Sequence, residues 1–160
     1  MIARSLPVFL LAFCLAFPAA AKSVQGVVNH VTDGDTLWVR PADGPPVQVR
    51  IHGLDAPEIC QAFGKEARDA LAARLLHRKV RVTIRAQDAY QRSVGTVSLK
   101  GEDVGAWLVA HGYAWSSHDR GGGPYAQEEA QARQARIGLW TSPAVEPRRF
   151  RRRHGSCQSA

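Results

Sequence analysis

Val47-Gln48-Val49-Arg50-Ile51-His52 alternates apolar and other residues, the pattern of a strand with one buried face. Gly53-Leu54-Asp55-Ala56-Pro57-Glu58 follows as a turn, and it puts two carboxylates just beyond the strand's end. Pro57 stiffens that turn. On the N-terminal side, Pro41-Ala42-Asp43-Gly44-Pro45-Pro46 is a turn by composition. Before it, Thr36-Leu37-Trp38-Val39-Arg40 and the Val-rich stretch Val24 to Val31 read as two more strands. On the C-terminal side the period changes. Ala67, Ala70, Leu71, Ala73 and Leu75 fall at helical spacing between Phe63 and Lys79.

Alternation returns in Val80-Arg81-Val82-Thr83-Ile84 and in Val94-Gly95-Thr96-Val97-Ser98-Leu99. Val104 to His111 is a short apolar helix with Gly112 at its end, and Tyr125 to Ile137 is a third helix stopped by Gly138. Between them Gly121-Gly122-Gly123-Pro124 is a loop. Five short strands interrupted by one helix predict an α+β chain, mainly a β barrel. The pattern is that of a five-stranded Greek-key barrel of the OB type, with three helices. Trp38 and Trp107 sit in apolar surroundings and read as core.

The chain has 160 residues, enough for one domain. Met1 to Ala21 is set apart: one charge on Arg4, an apolar run from Val8 to Phe17, then Pro18-Ala19-Ala20-Ala21. This is the layout of a secretory signal cut near Ala21, and the run is too short for a membrane anchor. A lipoprotein box at Leu11-Ala12-Phe13-Cys14 is discounted, because Phe13 is bulky where a small residue is needed. The expected product is periplasmic or extracellular and a monomer. It carries a domain over 22–142 and an Arg-rich tail over 143–160.

The net charge is +7, and +6 once Arg4 is set aside, which suits a polyanionic partner such as nucleic acid. Beyond the leader the cysteines are Cys60 and Cys157, and an oxidising compartment predicts that they pair. Free or intermolecular thiols are the alternative. Arg148, Arg149, Arg151, Arg152 and Arg153 surround Phe150, and so dense a run of like charge reads as a solvated tail.

Three clusters carry chemistry. Thr32-Asp33-Gly34-Asp35-Thr36 joins two strands; alone it is as consistent with a plain hairpin. It is not an EF-hand loop, since Trp38 and Gly44 fall where the glycine and the closing glutamate are required. Arg50 with Asp55 and Glu58 is the second cluster, and Asp88-Ala89-Tyr90-Gln91-Arg92 the third. Breaking a phosphodiester needs a cation, fixed positive side chains and a base to prepare water, and these clusters hold all the residue types required. The six histidines show no His-x-x-x-His spacing and there is no Cys-x-x-Cys, so nothing points to zinc. His52, near the second cluster, reads as structural.

The three clusters, in this order and spacing, resemble the motifs of the staphylococcal nuclease (thermonuclease) family. Gly138-Leu139-Trp140 is similar to that family's closing helix, so the resemblance covers roughly residues 25–141. It implies a calcium-dependent endonuclease that cuts DNA and RNA and leaves 3′-phosphates. Asp35 and Asp55 would be calcium ligands, joined by the backbone carbonyl of Ala56. Glu58 would be the general base, or at least the group that orients the attacking water. Arg50 and Arg92 would hold the phosphate and stabilise its transition state, with Tyr90 beside it and Asp33 orienting ligands or waters.

The departures are Ala56 where the family often has Thr, and Ala89 and Gln91 in its Lys-Tyr-Gly-Arg motif. The loss of that lysine removes a phosphate contact. Trp115 and Tyr125 are both candidates to stack on a base, and each is equally a core residue. The competing reading is an inactive OB-type nucleic-acid-binding module. Carboxylates in a basic cleft argue against it, because they repel a bound phosphate. A third reading uses the arginine tail on acidic polymers.

Overall fold

The structure, a computed structural model, describes residues 22–117, 123–155 and 157. The expected signal segment and Gly121-Gly122 of the expected loop lie outside the described residues. The strands are β1 (Ser23–Val31), β2 (Thr36–Pro41), β3 (Val47–Ile51), β4 (Leu54–Asp55), β5 (Lys79–Gln87), β6 (Ser93–Leu99), β7 (Glu102–Asp103) and β8 (Trp115–Ser116). The helices are α1 (Gly64–Leu75), α2 (Val104–Ala110), α3 (Ala126–Ala135) and α4 (Pro147–His154), with a 3-10 turn over Gly138–Thr141.

The main sheet runs β3-β2-β1-β5-β6-β7. It closes where β3 pairs in parallel with β6, through Val49–Ser93, Arg50–Val94 and Ile51–Gly95. The other long pairings are antiparallel. The result is a closed, mixed five-stranded barrel with helices, the α+β OB architecture expected. The five long strands lie close to the expected segments. The two-residue strands β4, β7 and β8 are too short to show an alternation. There are four helices rather than three, because α4 forms in the arginine-rich segment.

Strand alternation builds the core. Val28, Leu37, Val39, Val49, Ile51, Val82 and Val97 are fully buried within the barrel. Gly64, Ala67, Leu71 and Leu75 give α1 its buried stripe, and Leu108 and Val109 of α2 join the same core. Each large aliphatic side chain so buried contributes about 1.5–3 kcal/mol. The two tryptophans expected in the core are only half-buried. Trp38 falls between the inward residues Leu37 and Val39, on the alternate face of β2. Trp107 packs against the core from α2, with the Arg74 guanidinium 4.4 Å from its ring centre. The end of α2 is as expected: Gly112 adopts φ 69°, and the Tyr113 N–H donates to Leu108 O at 2.9 Å.

A disulfide joins Cys60 to Cys157 across 97 positions of sequence. Pro147 starts α4 at its first turn, where its missing N–H is not needed. The Gln61 amide donates to Val145 O at 2.5 Å, so two neighbouring residues after Glu58 both hold the C-terminal segment. Changing both cysteines to serine is expected to lower stability by about 2–4 kcal/mol. In a thermal melt this is a fall of roughly 5–15 °C. Superimposable melts of the two proteins would deny the bond that role.

Candidate active site

The turn after β1 builds the first wall of a cleft. The Asp35 N–H donates to Asp33 Oδ1 at 3.0 Å, closing a tight Asx turn. Gly34 is needed there for space. A Cβ would lie 2.7 Å from the Ala56 methyl and 2.8 Å from that of Ala67. The turn therefore nests against both the β4 loop and α1. The Ile51 N–H donates to Asp35 O at 2.8 Å and ties the turn to β3.

The loop after β4 is the second wall. The Glu58 N–H donates to Gln61 Oε1 at 3.2 Å, and the Gln61 N–H donates to Glu58 O at 2.8 Å. Gly64 opens α1 directly against this loop, and a Cβ at that position would run into the Glu58 carbonyl. The loop that carries Glu58 is thus clamped between its own hydrogen bonds and the start of a helix.

Arg50 joins the two walls. Its Nη1 donates to Asp35 Oδ1 at 2.6 Å and its Nη2 to Asp55 Oδ1 at 2.9 Å. Asp35 is buried, 3% exposed, and a buried carboxylate without a partner is expensive. Its other bonds come from the Thr36 hydroxyl to Oδ1 at 2.9 Å and the Ala56 N–H to Oδ2 at 3.2 Å. Asp35 raises the Arg50 pKa further, outweighing the burial that opposes its charge. Burial, and then the charge of Asp35, push the Asp33 carboxyl up to about 7.

The β5–β6 connection supplies the third wall. Asp88 Oδ1 accepts from the N–H groups of Tyr90 and Arg92 at 2.9 and 3.0 Å, and Oδ2 accepts from Arg92 Nε at 2.7 Å. Burial opposes the charge of Asp88. The hydrogen bonds from the Arg92 side chain and from the Arg92 and Tyr90 backbone outweigh it, and hold the carboxyl below its ordinary range. Asp88 therefore fixes the Arg92 stem and leaves the end of the fork pointing outward from that pair. Tyr90 is 79% exposed at the rim, its ring centre 5.3 Å from the Arg92 guanidinium carbon.

Together these walls enclose a cleft of about 580 Å³. Asp33, Asp35, Arg50, Ala56, Glu58, Tyr90 and Arg92 all line it. Asp55 reaches the cleft through the guanidinium groups that hold it. Cys60 and Cys157 lie to one side, behind Glu58. Neither aromatic weighed as a stacking residue is in the cleft. Trp115 is buried with its ring edge-on to Trp140, and the buried Tyr125 hydroxyl donates to Asp103 at 3.2 Å. The His52 backbone N–H donates to Gly95 O at 2.9 Å across the barrel seam.

Sequence reasoning left Arg151 in solvent, yet it lines the cleft. Its Nη1 donates to Glu58 Oε1 at 2.7 Å and its Nη2 to Asp55 Oδ2 at 2.9 Å. Two signals were available. Pro147 and Gly155 bracket a helix, and Cys60 stands two residues after Glu58. Pairing Cys157 with Cys60 therefore brings the tail to the site.

The donors in this cleft are hard carboxylate oxygens, the kind that calcium or magnesium takes, and among the described residues no cysteine or histidine lines it. Asp35 Oδ2 accepts from Ala56 N–H, and Asp55 Oδ2 from Arg151, which leaves each oxygen a lone pair for a cation. Among the described residues no group of three or more His, Cys, Asp or Glu forms a metal cluster. A hard cation is compatible with so sparse a set when water and phosphate oxygens supply the other ligands.

Residues 48–142 match the family described as staphylococcal nuclease homologue. The chain is 41% identical over 151 residues to a protein named ParB from Escherichia coli, a match that covers 86% of this chain and 84% of that one. It is 36% identical over 141 residues to a micrococcal nuclease of Shigella flexneri, covering 80% of each. It is 33% identical over 129 residues to an uncharacterized endonuclease of Haemophilus influenzae, covering 78% of this chain and 71% of that one. Similarity that spans the barrel, the cleft and most of each relative's length places the chain by descent: it belongs to the staphylococcal nuclease family and is a nuclease, a hydrolase of phosphodiester bonds.

Proposed function

We propose that this nuclease is an exported, calcium-dependent endonuclease that cuts DNA and RNA and leaves 3′-phosphates. The observation that carries the reading is Arg50, which bridges Asp35 and Asp55 in a cleft that also holds Glu58 and Arg92. A pure phosphate binder gains nothing from these carboxylates.

In this reading Asp35, Asp55 and the Ala56 carbonyl hold calcium, with Asp33 orienting ligands or waters from the turn behind. Bound calcium would act as a Lewis acid on a phosphate oxygen and neutralise developing charge. Glu58 takes a proton from a water molecule, and that water's oxygen forms a bond to phosphorus opposite the 5′ oxygen. Arg50 and Arg92 donate to the non-bridging oxygens, where charge concentrates in the transition state. The bond from phosphorus to the 5′ oxygen breaks. Arg92 donates a hydrogen bond to that oxygen as it leaves, the oxygen takes a proton from solvent to become a hydroxyl, and the 3′ side keeps the phosphate. Tyr90, exposed at the rim beside Arg92, flanks the bound phosphate.

Export is supported by the layout of residues 1–21 and by the Cys60–Cys157 bond, which suits an oxidising compartment. Among the described residues no helix is long and apolar enough to cross a membrane. The mature chain is proposed to act as a monomer.

The test is cleavage of single-stranded DNA by the purified chain. Cutting with calcium and its loss in excess chelator is the expected result. Cutting that survives chelator would overturn the calcium dependence. A folded chain that binds DNA and leaves it whole in calcium would turn the reading to an inactive binding module.

A further inference from the structure

Of the five arginines between positions 148 and 153, Arg148, Arg149, Arg152 and Arg153 are exposed. Arg151 alone is turned inward, its side chain 33% exposed. We propose that Arg151 is a third phosphate-binding arginine of the nuclease, delivered to the cleft by α4 and the Cys60–Cys157 bond. The proposal rests on the calcium and phosphate reading above.

Arg151 stands as Arg50 does. Each guanidinium bridges two carboxylates, and Asp55 is common to both. Arg50 spans Asp35 and Asp55 at 2.6 and 2.9 Å, and Arg151 spans Glu58 and Asp55 at 2.7 and 2.9 Å. Without an anion, such guanidiniums have only carboxylates to pair with. Asp35 and Asp55 would hold a cation that takes over that neutralisation. Both forks would then be free to donate to a phosphate. Arg92 is paired with Asp88, so Arg50 and Arg151 are the guanidiniums that face Asp35, Asp55 and Glu58.

The position is built. The Cys60 N–H donates to Cys157 Sγ at 3.1 Å, the Gln61 amide holds Val145 O, and Phe150 lines an apolar groove with Phe63, Trp115 and Leu139. Cys60 and Gln61 are the second and third residues after Glu58. They restrict Arg151 to the cleft mouth.

The test compares the parent chain with Arg151→Ala and Arg151→Lys at saturating calcium. The Ala variant is expected to lose about 10- to 100-fold in kcat/KM, mainly through KM, the effect of a hydrogen bond to a charged group. Lys should restore part of the loss, since it keeps the charge and lacks the fork. In a Glu58→Gln background, fluorescence anisotropy with labelled single-stranded DNA in calcium should show weaker binding when Arg151 is also Ala. Calorimetry with calcium alone should show equal or tighter binding in the Ala variant, since a competing cation has left Asp55. Unchanged or raised kcat/KM with unchanged DNA affinity would overturn the proposal; a rise would make α4 an inhibitory strap. If the parent takes up no calcium, the cation reading fails, while the anisotropy difference still decides Arg151. Should the Ala variant melt early, the Lys variant carries the comparison.

Discussion

Arg50→Ala is expected to abolish most activity and to destabilise the fold by about 3–5 kcal/mol, the usual result of removing one partner of a buried ion pair. The stability loss falls on Asp35. That carboxylate is buried, and the Thr36 hydroxyl and the Ala56 N–H are too little to solvate its charge once the guanidinium is gone. The activity loss, about 10²- to 10³-fold, follows from removing a donor aimed at the transition state. Calcium separates the two effects. If the cation binds Asp35 and Asp55, saturating calcium should raise the variant's melting temperature more than the parent's, because it supplies the missing positive charge. Activity should stay low. Equal calcium shifts in both proteins would show that Arg50 does not hold the calcium ligands.

Glu58→Gln should show the reverse split. Turnover is expected to fall about 10²- to 10⁴-fold, the typical contribution of a positioned general base. Stability should change by less than about 1 kcal/mol, since the lost ion pair with Arg151 is partly exposed on both sides. The loop itself should keep its shape, because its backbone bonds to Gln61 and its contact with Gly64 do not involve the carboxylate. Turnover and melting temperature measured on one preparation check both halves. An unaltered turnover number would remove Glu58 as the base.

Much of this was legible in the sequence because the barrel strands have a period of two and their buried residues are branched and apolar. Val49 and Ile51 identify β3, and with it the strand that carries Arg50. The three clusters that resemble the family's motifs do meet in one cleft. Other features were hidden for physical reasons. Trp38 looked like core because it is large and apolar, yet the alternation of β2 gives the interior to Leu37 and Val39. Trp115 and Tyr125 were ambiguous because a stacking ring and a buried ring have the same composition; only their burial separates them. Arg148, Arg149, Arg152 and Arg153 are exposed as expected, and Arg151 was misread because clustered like charge favours solvent when nothing holds it. Here the disulfide to Cys60 and the Gln61 amide hold the tail, and Asp55 and Glu58 neutralise the arginine that faces inward. Those partners lie 84 to 97 positions away in sequence.

The seam between β3 and β6 has a further consequence. Arg50 sits opposite Val94 at that seam, only two positions from Arg92 along the neighbouring strand. In an open sheet of the same order, β3 and β6 are separated by β2, β1 and β5. Strand spacing would then keep the two arginines about 19 Å apart, too far to grip one phosphate. Until the seam closes, the chain carries the ingredients of a cutting edge without the edge, so the completed barrel is itself part of the grip on a phosphate.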